Sequence, residues 1–211
     1  GVPVSPWLLV GAMRVETFPV LRRLTAPRPI GPRLWLGSLG DRPVALLTCG
    51  VGPERAERRG REAIERLNPE AVVSFGTCGA LIDGLPRGAL VGATGLVSGE
   101  GAPIPLTPPP TPGAHLGALA SVAEVVATPT ARAALAARGA VACEMEAGGL
   151  RRAARDRPLY ALKVVSDAAG GDPSERLQPG DPVQMLRFKA LALNLVEGRL
   201  APALVSWLGS L

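Results

Sequence analysis

Histidine and tyrosine occur once each in this 211-residue chain, cysteine three times, and aromatic residues make up only 3% of it. A single histidine, His115, argues against a histidine-based triad or a histidine-rich metal centre, so no metal is expected. The cysteines, Cys49, Cys78 and Cys143, are odd in number and lie inside apolar runs. That usage fits reduced core thiols better than a disulfide framework, and a cytoplasmic location follows as an expectation. So few aromatics leave no stacking platform for single-stranded nucleic acid. No apolar run approaches the roughly 18 residues that would span a bilayer, and Gly1-Val2-Pro3-Val4-Ser5-Pro6-Trp7 reads as no secretory signal. Phosphate-loop signatures are missing as well. Gly50-Val51-Gly52 lacks the third glycine of a dinucleotide fingerprint, and no Gly-Lys-Ser/Thr occurs, which leaves dinucleotide and triphosphate sites unsupported.

The net charge of +5 and pI near 9.8 raise the question of a nucleic-acid partner. Nearly all the cations are arginines interleaved with acids, as in Glu54-Arg55-Ala56-Glu57-Arg58-Arg59-Gly60-Arg61-Glu62. A solvated helix face with i,i+4 pairs explains that pattern, and no nucleic acid is expected.

What the chain does have is apolar content, 47% with a mean hydropathy of +0.24. That is enough for one large core, and residues 1–211 are read as a single domain. Apolar runs at Trp7–Gly11, Arg33–Leu36, Val44–Cys49, Ala71–Gly76, Ala89–Val97, Val122–Ala127, Val141–Cys143 and Leu159–Val165 read as strands. Helical periodicity covers Glu16–Leu24, Glu54–Leu67, Ala131–Arg138, Glu146–Arg155 and Val183–Glu197. The order predicts an α/β domain with a central mixed sheet flanked by helices in three layers. Gly40-Asp41 between Leu34–Ser38 and Arg42–Leu47 predicts a hairpin. Residues 99–114 carry too many prolines for helix or central strand and read as a stiff surface loop that could cover a site or a subunit contact.

Chemistry concentrates at Ala142-Cys143-Glu144-Met145-Glu146-Ala147 and, about twenty residues on, at Lys163-Val164-Val165-Ser166-Asp167. Carboxylates at strand ends sit where open α/β sheets place their sites, and burying three of them is costly without a use. The alternative is that Glu144 and Glu146 only cap the next helix. Three further segments put small or polar residues just after a strand: Gly11-Ala12-Met13-Arg14-Val15-Glu16, Cys49-Gly50-Val51-Gly52-Pro53 and Ser74-Phe75-Gly76-Thr77-Cys78-Gly79-Ala80-Leu81. Glycines there let a ligand approach the backbone closely.

In this order the three glycine-bearing segments and the acidic pair resemble the family of nucleoside phosphorylases and nucleosidases, which contains purine nucleoside phosphorylase, uridine phosphorylase and the 5′-methylthioadenosine/S-adenosylhomocysteine nucleosidases. The stretch from Val126-Ala127-Thr128-Pro129 to Glu146 also looks like the branch of hopanoid-associated phosphorylases. The resemblance implies that Glu146 accepts the ribose 2′- and 3′-hydroxyls with Met145 packed on the sugar. It makes Asp167 the group acting on N7 of a purine, oriented by Ser166, and Glu16 the activator of an attacking water. Thr77 would bind that water or a phosphate, with Gly76 allowing close approach and Glu144 counted among the substrate contacts. No cofactor is implied beyond water or inorganic phosphate, and the partner is a small nucleoside, with a homo-oligomer expected.

Water is the expected nucleophile. Ser74 stands where phosphorylases resembling this chain carry a phosphate-binding arginine, and the charge of Glu16 would repel a phosphate dianion. Arg14 is the one nearby cation that could favour phosphorolysis instead. A non-catalytic nucleoside-binding protein is the alternative of another class. Lys163 in place of the family's usual arginine, and the loose Gly170-Gly171-Asp172-Pro173 continuation, are departures from the pattern.

Overall fold

The computed structural model describes residues 4–172, 176–178 and 180–211. Gly1 to Pro3 of the N-terminal segment and Pro173 lie outside them.

Among the described residues ten strands form one mixed sheet: β1 (Trp7–Gly11), β2 (Thr25–Gly31), β3 (Leu34–Leu39), β4 (Arg42–Thr48), β5 (Ala71–Ala80), β6 (Leu90–Val97), β7 (Ile104–Pro105), β8 (His115–Ser121), β9 (Ala140–Glu144) and β10 (Leu159–Asp167). The described residues also form α-helices that cover it: α1 (Arg14–Leu21), α2 (Pro53–Leu67), α3 (Pro129–Ala137), α4 (Ala147–Ala154), α5 (Pro182–Leu195) and α6 (Ala201–Leu208), the last two joined by a π-helical turn over Val196–Leu200. The expected α/β class with a central mixed sheet is observed.

Alternation along the strands dictates the layers. In β1, Leu8 and Val10 face a core shared with α2 and α4 through Ile64 and Leu150. Trp7 and Leu9 face the opposite core, with Val20 of α1 and Leu204 and Trp207 of α6. There Trp7 stacks on Tyr160 at 5.5 Å between ring centroids, and Trp207 meets both edge-on. Helices α2 and α4 touch closely because Gly149 packs on the Pro53 carbonyl, where a Cβ would collide.

The strand that positions the site is β5. Its first half, Ala71–Ser74, pairs in parallel with β1, whereas Gly79 and Ala80 pair with β9, and β10 runs along the other side from Val72 to Gly79. Between the two pairings lies Gly76 at φ +145°, a conformation that L side chains rarely adopt. Beyond it β5, β9, β8, β6 and β10 close into a ring, because β10 pairs with both β5 and β6. The divergence of neighbours at Gly76 opens a crevice at the strand ends, the kind of switch point at which α/β sheets bind ligands.

Several expected elements differ. The run Val122–Ala127 is irregular, and the strand of that region is β8, one segment earlier. Strand β2 and helix α6 were not expected; β2 was concealed by its prolines. The Gly40-Asp41 hairpin is present as β3 and β4, with Gly40 at φ +57°. Residues 99–114 are irregular apart from the two-residue β7 on β6.

Candidate active site

Glu16 enters the crevice from the first turn of α1. Its Oε1 accepts the Met13 N–H at 3.1 Å, and its Oε2 accepts the Thr77 N–H at 2.8 Å and lies 3.3 Å from the Thr77 hydroxyl. A Cβ on Gly76 would lie 2.5 Å from that same Oε2, so only glycine leaves room for the carboxylate. The side chain is buried, and desolvation pushes its pKa above the ordinary carboxylate value against the pull of the Thr77 N–H.

Of the two acids that the sequence offered as caps, one makes the capping bonds and the other does not. Glu144 is the helix cap: its oxygens accept the N–H of Ala147 at 2.8 Å and of Glu146 at 3.1 Å. They also take the Ser121 hydroxyl at 2.7 Å and the Lys163 ammonium at 3.1 Å, with the carboxyl wholly buried. Every acceptor direction is occupied by the protein itself. Glu146 makes no capping bond; its Oε2 accepts the Gly52 N–H at 2.8 Å, and its Oε1 faces the pocket without a hydrogen bond among the described residues. Gly52 presents that N–H from φ +104° at the start of α2. Burial first, and the neighbouring Glu144 charge second, raise Glu146 to about 8.

Lys163 balances these acids. It is fully buried on β10 opposite Gly76, and its ammonium donates to the Ser74 hydroxyl at 2.9 Å in addition to its pairing with Glu144. Burial lowers its pKa, but Glu144, Glu146 and Glu16 together more than reverse that, leaving it raised. Lysine therefore serves as a fixed cation at the position where the family's arginine was expected, and Ser74 is its acceptor.

Asp167 ends β10 on the far side of the crevice, where Arg132 of α3 donates to its Oδ2 at 2.8 Å and Arg176 lies at 3.4 Å. Arg132 is itself fixed by the carbonyls of Val126 and Ala80. The Ser166 hydroxyl lies 3.3 Å from Oδ1 and 3.2 Å from the Cys78 carbonyl.

Glu16, Thr77, Glu144, Met145, Glu146, Ser166 and Asp167 thus line one pocket, together with Val122, Val126, Cys78, Cys143 and Phe188. Gly76 is buried against the Glu16 carboxylate and does not itself line the pocket. His115 is exposed at the start of β8, and residues 99–114 contribute nothing to the lining. Arg14 is exposed and borders a separate depression with Phe18 and Arg33. Arg132, Arg176 and Ser121 went unrecognised in the sequence; a lone arginine in the alanine-rich run Pro129–Ala137 was the available signal for the first. Among the described residues no cluster of His, Cys, Asp and Glu is arranged to hold a metal ion.

The same arrangement of chain is found in known proteins. An S-adenosylhomocysteine nucleosidase from Streptococcus pyogenes, solved with 5-methylthiotubericidin, superposes with a TM-score of 0.80 at 18% identity over 100% of this chain and 99% of its own. A 5′-methylthioadenosine/S-adenosylhomocysteine nucleosidase from Colwellia psychrerythraea, solved with adenine, gives 0.76 at 18% identity over 98% and 96%. A futalosine hydrolase mutant from Helicobacter pylori gives 0.77 at 17% over 99% and 100%. At such identities the likeness establishes the fold. No curated protein matches the sequence. The family model of the phosphorylase superfamily matches residues 8–114, more than half of the chain and all three of its glycine-bearing segments. The chain belongs to the phosphorylase superfamily.

Proposed function

We propose that the protein hydrolyses the N-glycosidic bond of a purine nucleoside, with room for a bulky 5′ substituent. The observation that carries hydrolysis over phosphorolysis is the seat of Glu16. Its carboxylate fills the place beside Gly76 and takes both donors of Thr77. A phosphate dianion would have to displace a like charge to use them, and Arg14 faces elsewhere. Water has no such conflict. Glu16, made more basic by burial, accepts its proton as it attacks C1′.

Glu146 takes the ribose 2′- and 3′-hydroxyls on its free oxygen, with Met145 against the sugar. Asp167 assists departure of the base at N7, held in place by Ser166, Arg132 and Arg176. As the glycosidic bond breaks, the ribose gains oxocarbenium character, which the neighbouring carboxylates stabilise. Glu144 acts as a positioning residue for Glu146, because its own oxygens are already occupied. The nucleosidases among the structural neighbours support the reading, as does the futalosine hydrolase. The same reading carries a role in purine salvage and a homo-oligomer in which a neighbour borders each site. A cytoplasmic location is supported by three buried free cysteines.

The test is release of free base from adenosine, inosine, 5′-methylthioadenosine, S-adenosylhomocysteine and futalosine, with and without inorganic phosphate. Release without phosphate is expected. Strict phosphate dependence would replace hydrolysis by phosphorolysis, and nucleoside binding without release from any substrate would favour a binding protein.

A further inference from the structure

Helix α5 contributes one residue, Phe188, to the wall of the pocket. Its inner face buries Ala192 and Phe188, the latter a pocket-lining residue. Its outer face carries Val183, Leu186, Ala190 and Leu193, spaced by three or four residues so that they form one stripe. These are unusual exposures: Val183 is 60%, Leu186 70% and Leu193 36% accessible. Scattered exposed aliphatics need no explanation, whereas a run along one helix face does.

The charges around the stripe are of one sign. Arg187 and Lys189 flank it on either side, both exposed, and no acid occurs from Pro182 to Leu195. The nearest acids along the chain are engaged: Asp181 caps the helix by accepting the N–H groups of Val183 and Gln184, and Glu197 is paired with Arg22 and Arg23. Two copies meeting through this face about a two-fold axis would bring cations towards cations. The face is also a convex ridge, which offers no sockets for the anchoring side chains of a protein partner. Aliphatic residues between flanking cations on a convex helix fit the boundary between acyl chains and anionic headgroups.

We propose that the outer face of α5 docks the protein on an anionic lipid surface, with Val183, Leu186 and Leu193 inserted and Arg187 and Lys189 at the headgroups. Docking lays the wall of the pocket beside the bilayer without any segment crossing it. The attachment is peripheral and reversible, and it weakens as salt screens the two cations.

Co-sedimentation of the full chain with phosphatidylcholine vesicles, alone or containing phosphatidylglycerol, tests this. Binding to the anionic vesicles is expected, with at least tenfold weaker binding for Leu186→Glu and a marked loss for Arg187→Glu/Lys189→Glu. Both are surface changes, so circular dichroism and base release from a soluble nucleoside should stay as in the parent protein. Absence of binding to anionic vesicles would overturn the proposal, as would equal binding by Leu186→Glu. A change in sedimentation coefficient in Leu186→Glu without lipid would instead assign the stripe to subunit contact and equally overturn it.

Discussion

Glu16 and Thr77, 61 positions apart in the chain, are joined by a backbone N–H donated to Oε2 at 2.8 Å. This bond holds a carboxylate at the kink of the central strand. Replacing Glu16 by Gln keeps the size but removes the base, so kcat should fall by about 10²–10⁴-fold while nucleoside affinity stays within a few-fold. Steady-state base release and calorimetry with a substrate analogue measure the two. An unchanged kcat would remove Glu16 from the chemistry.

The second prediction concerns the residue beneath that carboxylate. Gly76→Ala adds a methyl at 2.5 Å from Oε2 and forces alanine to φ +145°. The backbone cost alone is about 1–3 kcal/mol. Thermal unfolding should therefore show a clear loss, and turnover should drop together with the displaced Glu16. Wild-type stability and turnover would mean that the kink is not needed.

The buried ion pair gives the third. Lys163→Met leaves Glu144 charged and unpaired in the interior, which should destabilise the fold by about 3–5 kcal/mol. Adding Glu144→Gln removes the uncompensated charge, so the double variant should lose less than the two single variants together. Denaturant unfolding of the four proteins completes the cycle, and strictly additive losses would show that the two groups act independently.

The fourth follows from Glu146, raised to about 8 by burial and Glu144. The folded protein keeps this proton to a higher pH than the unfolded chain does. The contribution of Glu146 to stability is therefore complete below the unfolded value and is lost as pH rises through about 8. Ribose binding runs the other way, since hydroxyl donors need an ionised acceptor. Affinity should improve by up to about tenfold per pH unit on approaching that value from below. Glu146→Gln should flatten both profiles and weaken binding about 100-fold or more through lost charge-assisted bonds. A parent protein whose affinity is flat between pH 6 and 9 would contradict the assignment.

Much of this site was legible in the sequence because its groups sit at strand ends, and strand ends are marked by glycine after an apolar run. Gly76 and Gly52 were marked in that way, Glu144, Glu146 and Asp167 by their places at the ends of apolar runs, and Glu16 and Thr77 only through the family resemblance. The division of labour between Glu144 and Glu146 was not, because it depends on Ser121 and Lys163, which reach Glu144 from β8 and β10. Val122–Ala127 misled for a physical reason: β-branched residues mark burial on a surface, and here Val122 and Val126 are half-buried in a pocket wall instead of a sheet. Conversely, β8 has the weak strand sequence His-Leu-Gly-Ala-Leu-Ala-Ser and is held in place between β6 and β9 by its partners. Arg132 was hidden because only the tertiary fold brings α3 against Asp167.

Strand β2, with Pro27 and Pro29, ends the sheet on the side away from the closed ring of strands. Proline offers no N–H to an incoming strand, and Arg28 between the two would add charge to any contact. Strands β3 and β4 are therefore shielded behind a margin that cannot be extended by another chain. The molecule avoids edge-to-edge aggregation at this margin through the same prolines that made β2 hard to recognise as a strand.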